Sequence, residues 1–322
     1  MADFVIGTRG SGLALWQAHA VADALRAQDP AREVDVRVIK TTGDRILDVP
    51  LSKIGDKGLF TKEIETQLLA GEIDMCVHSM KDVPSALPEG CVLAAMLPRA
   101  DARDALVCGP RLAQVGCLAD VPEGARIGTG SLRRAAQLRA RYPQLVPSEI
   151  RGNLDTRLAK AEGSHYEGAV LAVSGIVRMG WEDRIRSYIP VEDMIPAVGQ
   201  GAVGIEARAD DERILAALAD ISHAPTMACV DAERIILSRL EGGCQVPLGA
   251  YIRWEGPADQ QTLVLDAFVS SLDGSEMARV HMERAGIISR SDPAELAEMA
   301  LEALCEQGAC EIMDRVKASV GL

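Results

Sequence analysis

The order of elements predicts an α/β protein with two similar α/β domains and a smaller α+β domain at the end of the chain. Three observations carry this reading. Short apolar strands alternate with amphipathic helices between Phe4 and Val173. A strand, Gly-Thr, small loop, Ser, helix pattern occurs twice, in Ile6-Gly7-Thr8-Arg9-Gly10-Ser11 and in Ile127-Gly128-Thr129-Gly130-Ser131. After Pro247 the pattern changes to strands that alternate along their length.

In chain order, residues 4–8 read as a strand that ends in the first Gly-Thr loop. A helix follows, with Leu15, Trp16, Val21 and Leu25 at helical spacing. Residues 34–40 alternate as a strand. Residues 61–70 read as a helix closed by Gly71, a residue that tolerates positive φ. Residues 73–78 form a further strand. The second Gly-Thr loop leads into a helix over 132–141 that Pro143 stops, and strands near 148–151 and 169–173 continue that domain. Each loop would aim the free N–H groups of a helix N-terminus at a shared cleft, where they favour anions. The run Ile195-Pro196-Ala197-Val198-Gly199-Gln200-Gly201-Ala202-Val203-Gly204 reads as a crossing segment that returns the chain to the first domain. A helix over about 225–240 then precedes Glu241-Gly242-Gly243-Cys244-Gln245-Val246-Pro247. Strands near 250–254, 263–270 and 276–283 and a long helix near 293–316 complete the chain.

With 322 residues, 48% of them hydrophobic, the chain can fill two or three modest cores. No apolar run approaches the roughly 20 residues needed to span a bilayer. Met1-Ala2-Asp3-Phe4 lacks the basic start and apolar core of a signal peptide, so the expected location is the cytoplasm. In that reducing compartment the eight cysteines are expected to be free thiols. Cys305 and Cys310 have an unhelpful spacing and no nearby histidine, so no metal site is expected.

The net charge of −13 argues against nucleic acid as a partner. One region runs the other way: Arg126, Arg133, Arg134, Arg139, Arg141, Arg151 and Arg157 face only Glu149 and Asp155. A basic island in an acidic chain suggests an anionic ligand. For Arg139 and Arg141 the preferred reading is a solvated helix face.

Cys244 lies in a glycine-flanked loop, which suggests a reactive or modified thiol; Cys76, Cys91, Cys108, Cys229 and the other three read as structural. His78-Ser79-Met80-Lys81-Asp82-Val83-Pro84 follows a strand, and the C-terminal ends of such strands bind ligands. Asp82 is therefore a candidate acid, base or cation stabiliser, though an Asp there is also a common turn residue. Lys81 could pair with it or with a ligand carboxylate. Asp44, Lys53 and Lys57 are further loop candidates; a glycine-bracketed lysine such as Lys57 suggests contact with an anion, with surface solvation an equal reading. Arg133 and Arg134 oppose the dipole of their own helix at a cost of a few tenths to about 1 kcal/mol each. A bound anion would offset that conflict. Arg151 and Arg157 flank Gly152-Asn153 at another strand-to-helix junction, and Arg9 is the equivalent group in the first domain.

Together, Leu13-Ala14-Leu15-Trp16-Gln17-Ala18-His19, Val77 to Pro84, Ser131-Leu132-Arg133-Arg134, Pro196 to Ala202, and Glu233-Arg234 with Leu240 to Gly249 closely resemble the porphobilinogen deaminase (hydroxymethylbilane synthase) family, nearly end to end. The resemblance implies a pair of periplasmic-binding-protein-like domains, at 1–98 with 200–219 and at 102–196, and a cofactor-attachment domain at 222–322. It implies a transferase of tetrapyrrole biosynthesis that joins four porphobilinogen molecules into hydroxymethylbilane with release of ammonia. The chain would grow on a dipyrromethane cofactor held by a thioether to Cys244. Asp82 would be the catalytic residue. Cys244, Lys81, Asp82, Ser131, Arg133, Arg134, Asp44 and Thr129 would hold the cofactor. Arg9, Ser11, Arg151, Arg157, Arg178, Gln200 and Lys57 would hold the substrate, Lys57 from a loop over the cleft. A small anionic pyrrole is the implied partner and a monomer the implied state, with neither nucleic acid nor membrane involved. Gly130, where serine is frequent, and Asp155, where glycine is common, depart from the family pattern. Two rivals are a non-catalytic carboxylate-binding protein, which gives Cys244 no role, and a cysteine hydrolase, which leaves the basic island unexplained.

Overall fold

The structure, a computed structural model, describes residues 2–45, 61–163, 165–240, 246–257, 260–286 and 291–320. The chain divides into two compact units, one of Met1–Ala100 with Gly201–Met227, the other of Asp101–Gln200 with Ala228–Leu322.

The first unit holds β1 (Phe4–Thr8), α1 (Gly12–Gln28), β2 (Val34–Val38), α2 (Thr42–Arg45), α3 (Lys62–Leu69), β3 (Met75–Ser79) and β4 (Cys91–Met96). The chain returns to it with β10 (Val203–Arg208) and α7 (Glu212–Ala219). Its sheet runs β2-β1-β3-β10-β4. β1 is parallel to β2 and β3, whereas β10 is antiparallel to β3 and β4. β3 is buried on both faces, as expected of a central strand with helices on each side. Met75 and Val77 join the core that α1 fills with Ala18, Val21, Ala22 and Leu25. Cys76 joins the other core, with Ile64 and Leu68 of α3. Each fully buried side chain of this size contributes about 1.5–3 kcal/mol.

The second unit repeats the plan. It contains β5 (Asp104–Cys108), β6 (Arg126–Gly128), α4 (Leu132–Arg141), β7 (Val146–Ser148), α5 (Leu154–Ala161), β8 (Gly168–Ala172), α6 (Val173–Arg178) and β9 (Ser187–Tyr188). Its sheet runs β7-β6-β8-β5-β9, again with two parallel and two antiparallel pairings in the same places. The repeated Gly-Thr loop has a packing cause. A Cβ on Gly7 would lie 2.4 Å from Ile73 Cδ1, and one on Gly128 would lie 2.9 Å from Ile150 Cδ1. Gly130 is under a similar constraint, since a Cβ there would lie 2.9 Å from the Ile150 carbonyl oxygen.

This unit continues from Ala228 of α8 (Ala224–Arg239) into the antiparallel meander β11 (Leu248–Glu255), β12 (Thr262–Ser270) and β13 (Met277–Ala285), followed by α9 (Asp292–Glu306) and α10 (Ala309–Val320). Ile236, Leu265, Ala300 and Met313 share one core there. Glu233, fully buried on α8, accepts N–H bonds from Gly199 at 2.7 Å and Ile252 at 2.8 Å, which ties the Pro196–Gly199 stretch to β11.

Several sequence expectations need correction. The single helix near 293–316 is two helices, because Gly308 adopts a φ of +88° and stops α9. That break brings Cys305 and Cys310 to a Cα–Cα distance of 5.3 Å, within bridging range, and they form a disulfide rather than free thiols. The strand near 148–151 sits earlier, at Val146–Ser148. Arg139 and Arg141 are not simply solvated: Arg139 donates to the Leu272 carbonyl at 2.7 Å, and Arg141 pairs with Asp193. No helix among the described residues is long and apolar enough to cross a membrane.

Candidate active site

In the first unit, β3 leaves the sheet at Ser79 and enters a single 3-10 turn, Met80–Asp82. Met80 anchors this turn. It is buried, its N–H donates to the Ala202 carbonyl at 3.1 Å, and its sulfur occupies the space that a side chain on Gly204 would need. Pro84 then prevents the turn from continuing as helix. Asp82 is held at the surface on a fixed base.

Asp82 lines a pocket with Arg9, Ser11, Leu13, Ala14, Gln17 and His78, among others. Arg9 and Ser11 come from the β1–α1 loop, where Ser11 caps α1 by accepting the Ala14 N–H at 3.3 Å. Gln17, one and a half turns into α1, is buried, and its Nε2 has no hydrogen-bond partner among the described residues. An unmet donor in a pocket wall is costly unless a ligand accepts from it. Gln17 and His78 lie within the sequence motifs above, but the sequence does not single out either for the site. The signal for Gln17 is a polar residue on the buried stripe of α1.

In the second unit, Thr129, Ser131, Arg133, Arg134 and Gln200 gather where β6 passes into α4. The Thr129 hydroxyl oxygen accepts the Ser131 N–H at 3.2 Å. Arg133 donates to the Ile195 carbonyl at 2.6 Å and to Asp104 Oδ2 at 2.8 Å. Arg134 donates to the Val170 carbonyl at 3.1 Å and to Asp104 Oδ1 at 2.7 Å. Gln200 Nε2 donates to the Ala102 carbonyl at 2.6 Å and to Asp104 Oδ1 at 2.8 Å. Burial alone would push the Asp104 carboxyl up, but the two guanidinium groups hold it well below the usual carboxylate range. The two cations at the start of α4 thus find a counterion inside the protein, in a residue that sequence reading did not single out. One carboxylate serves two guanidiniums, so the cluster keeps a charge of +1. The Nε–H of each arginine has no partner among the described residues.

Arg151 and Arg157 stand at the β7–α5 junction. Arg151 Nε donates to Glu149 at 2.7 Å, and Arg157 Nε donates to the Gly152 carbonyl at 2.7 Å. Gly152 has a φ of +113°, which permits that turn. Arg178 ends α6, where burial brings its pKa down to about 10. Cys244, Lys53 and Lys57 lie outside the described residues, as does the side chain of Asp44.

Comparison with known proteins agrees from one end of the chain to the other. The family model described as "Porphobilinogen deaminase, dipyromethane cofactor binding domain" matches residues 4–216, and "Porphobilinogen deaminase, C-terminal domain" matches residues 227–306. The porphobilinogen deaminase of Desulforudis audaxviator is 50% identical over 318 residues, 98% of each chain. That of Geobacillus kaustophilus is 46% identical over 323 residues, 100% of each. That of Synechococcus elongatus is 47% identical over 315 residues, 98% of this chain and 96% of its own. Among solved structures, the second substrate binding domain of a putative amino acid ABC transporter from Streptococcus pneumoniae is 10% identical with a TM-score of 0.42, covering 74% of this chain and 94% of that one.

Proposed function

The chain belongs to the porphobilinogen deaminase family, and from that premise we propose which of its residues perform the reaction. It is a transferase of tetrapyrrole biosynthesis that condenses four porphobilinogen molecules head to tail into hydroxymethylbilane and releases ammonia. Its cofactor is dipyrromethane, which when bound supplies the pyrrole carbon on which the chain is built.

Asp82 is the catalytic residue in our reading. Loss of ammonia leaves positive charge on the pyrrole, and a carboxylate fixed beside the ring stabilises that charge as it develops. In its protonated form the same group can hand a proton to the departing amine. The observation that carries this reading is the pocket that Asp82 shares with Arg9, Ser11 and the unmet Gln17 donor. Pyrrole carboxylates of the substrate suit Arg9, Ser11 and Lys57, and Lys81 and Asp44 are assigned to the cofactor. Thr129, Ser131, Arg133 and Arg134 are assigned to cofactor carboxylates, for which the uncompensated +1 charge is a fit. Arg151, Arg157 and Arg178 are assigned to the lengthening anionic chain. Gln200, expected at the substrate, is buried with its amide on Asp104 and the Ala102 carbonyl, so we assign it to act on that set through Asp104. Cys244 is assigned as the thioether attachment point.

We read residues 1–98 with 200–219, 102–196 and 222–322 as three domains, a division supported by three sheets with separate cores. The protein would work as a cytoplasmic monomer, a state that size-exclusion chromatography with light scattering checks. For the attachment point, intact-mass measurement should find an adduct of two pyrrole units that is absent from Cys244→Ala. Active protein of unmodified mass would overturn the assignment.

A further inference from the structure

The face of the first unit's sheet that α3 covers holds a polar cluster to which no role in the reaction has been assigned, and its His78 also borders the Asp82 pocket. Cys76 and His78 alternate on β3, and Glu206 stands opposite Cys76 on the antiparallel neighbour β10. Strand periodicity therefore puts all three side chains on one face. Cys76 and Glu206 are wholly buried and His78 is 6% exposed. One ligand-type atom from each lies within 4.8 Å of the others. His78 Nε2 and Glu206 Oε2 are 2.9 Å apart.

The Cys91 thiol hydrogen-bonds the Glu206 carboxylate, but one oxygen of that group is left over. Glu206 Oε1 is buried and has no hydrogen-bond partner among the described residues. Glu65, reaching in from α3, has a buried Oε1 in the same condition. The nearby cation does not answer this need. Arg208 donates to the Leu68 and Ile73 carbonyls at 2.8 and 2.9 Å and pairs with Asp211 at 2.5 Å. Buried carboxylate oxygens without donors cost several kilocalories unless they are paired or bind a cation.

We propose that Cys76 Sγ, a ring nitrogen of His78 and Glu206 form a three-residue site for one zinc ion. One thiolate, one imidazole and one carboxylate are a donor set that suits zinc and make a neutral site with a divalent ion. Cys76 is a free, buried thiol. Binding breaks that S–H bond, forms the sulfur–zinc bond and releases one proton to solvent. The sequence hides the site because Glu206 lies 128 residues from His78.

The test uses cofactor-loaded enzyme, in which Cys244 is occupied, kept in a non-chelating phosphine reductant. Dialysis against zinc followed by metal analysis should give one ion per chain in the wild type and none in Cys76→Ala. A Cys305→Ser/Cys310→Ser variant should keep the ion, which separates this site from the other reduced pair. With cobalt in place of zinc, the wild type should show a thiolate-to-metal charge-transfer band that Cys76→Ala lacks. Should Cys76→Ala fold poorly, the same band in the Cys305→Ser/Cys310→Ser variant decides the matter. Zinc-free wild type after dialysis, or equal zinc in wild type and Cys76→Ala, would overturn the proposal.

Discussion

Arg134 donates through Nη2 to Asp104 Oδ1 at 2.7 Å, and both residues are closed to solvent. The carboxylate is shared with Arg133, so removing its charge leaves two buried guanidiniums facing each other. Asp104→Asn should destabilise the protein by about 3–5 kcal/mol, as breaking a buried pair does. The folded-state pKa of Asp104 lies below its unfolded value of about 3.9. Its contribution is therefore present above that value and lost only as the pH falls through the folded pKa. Denaturant midpoints at pH 7 should show the loss in Asp104→Asn, and the difference between variant and wild type should not shrink between pH 7 and pH 5.

Gly204 makes room for the Met80 sulfur, and Met80 anchors the turn that carries Asp82. A Cβ on Gly204 would lie 2.1 Å from that sulfur. Gly204→Ala should force Met80 to shift, at a cost of about 1–3 kcal/mol. Because Asp82 rides on the same turn, kcat should fall along with the melting temperature. A variant that loses stability at full turnover would separate the turn from catalysis.

Gln17 predicts the reverse pairing of effects. Its Nε2 is buried without a partner among the described residues, so Gln17→Met removes an unmet donor and keeps the volume. The melting temperature should hold or rise, whereas cofactor loading or KM should worsen by about tenfold, the value of one hydrogen bond to a charged group. Unchanged loading and KM would show that the donor meets no ligand.

Local features were the legible part of this molecule. Gly7 and Gly128 show in the sequence because their close packing excludes a side chain wherever the loop occurs, and the strand-to-helix junctions follow from them. The return of the chain to the first domain near residue 200 was legible, but the antiparallel pairing of β5 and β10 was not. Each enters its sheet beside strands distant in the chain, and no period records such a pairing. Asp104 was missed for the same reason, since its partners lie about thirty residues away and it looks like any acid at a strand start. The break at Gly308 was readable in principle, but the apolar periodicity on either side of it masked the stop. Asp82 was legible because it follows a strand end, where these sheets bind ligands, and Arg9 because its loop repeats in the second domain, whereas Ser11 came from the family resemblance.

The account turns on the charge of Asp82. Asp82→Asn keeps the size and hydrogen-bonding capacity of the side chain and loses the charge, whereas Asp82→Glu keeps the charge and moves it by one methylene. Single-turnover release of ammonia from protein already loaded with cofactor isolates the chemical step from assembly of the primer. The predicted result is a rate for Asp82→Asn lower by about 10²–10³-fold, with Asp82→Glu retaining far more. Equal rates for wild type and Asp82→Asn would contradict the account and leave Asp82 as a turn residue.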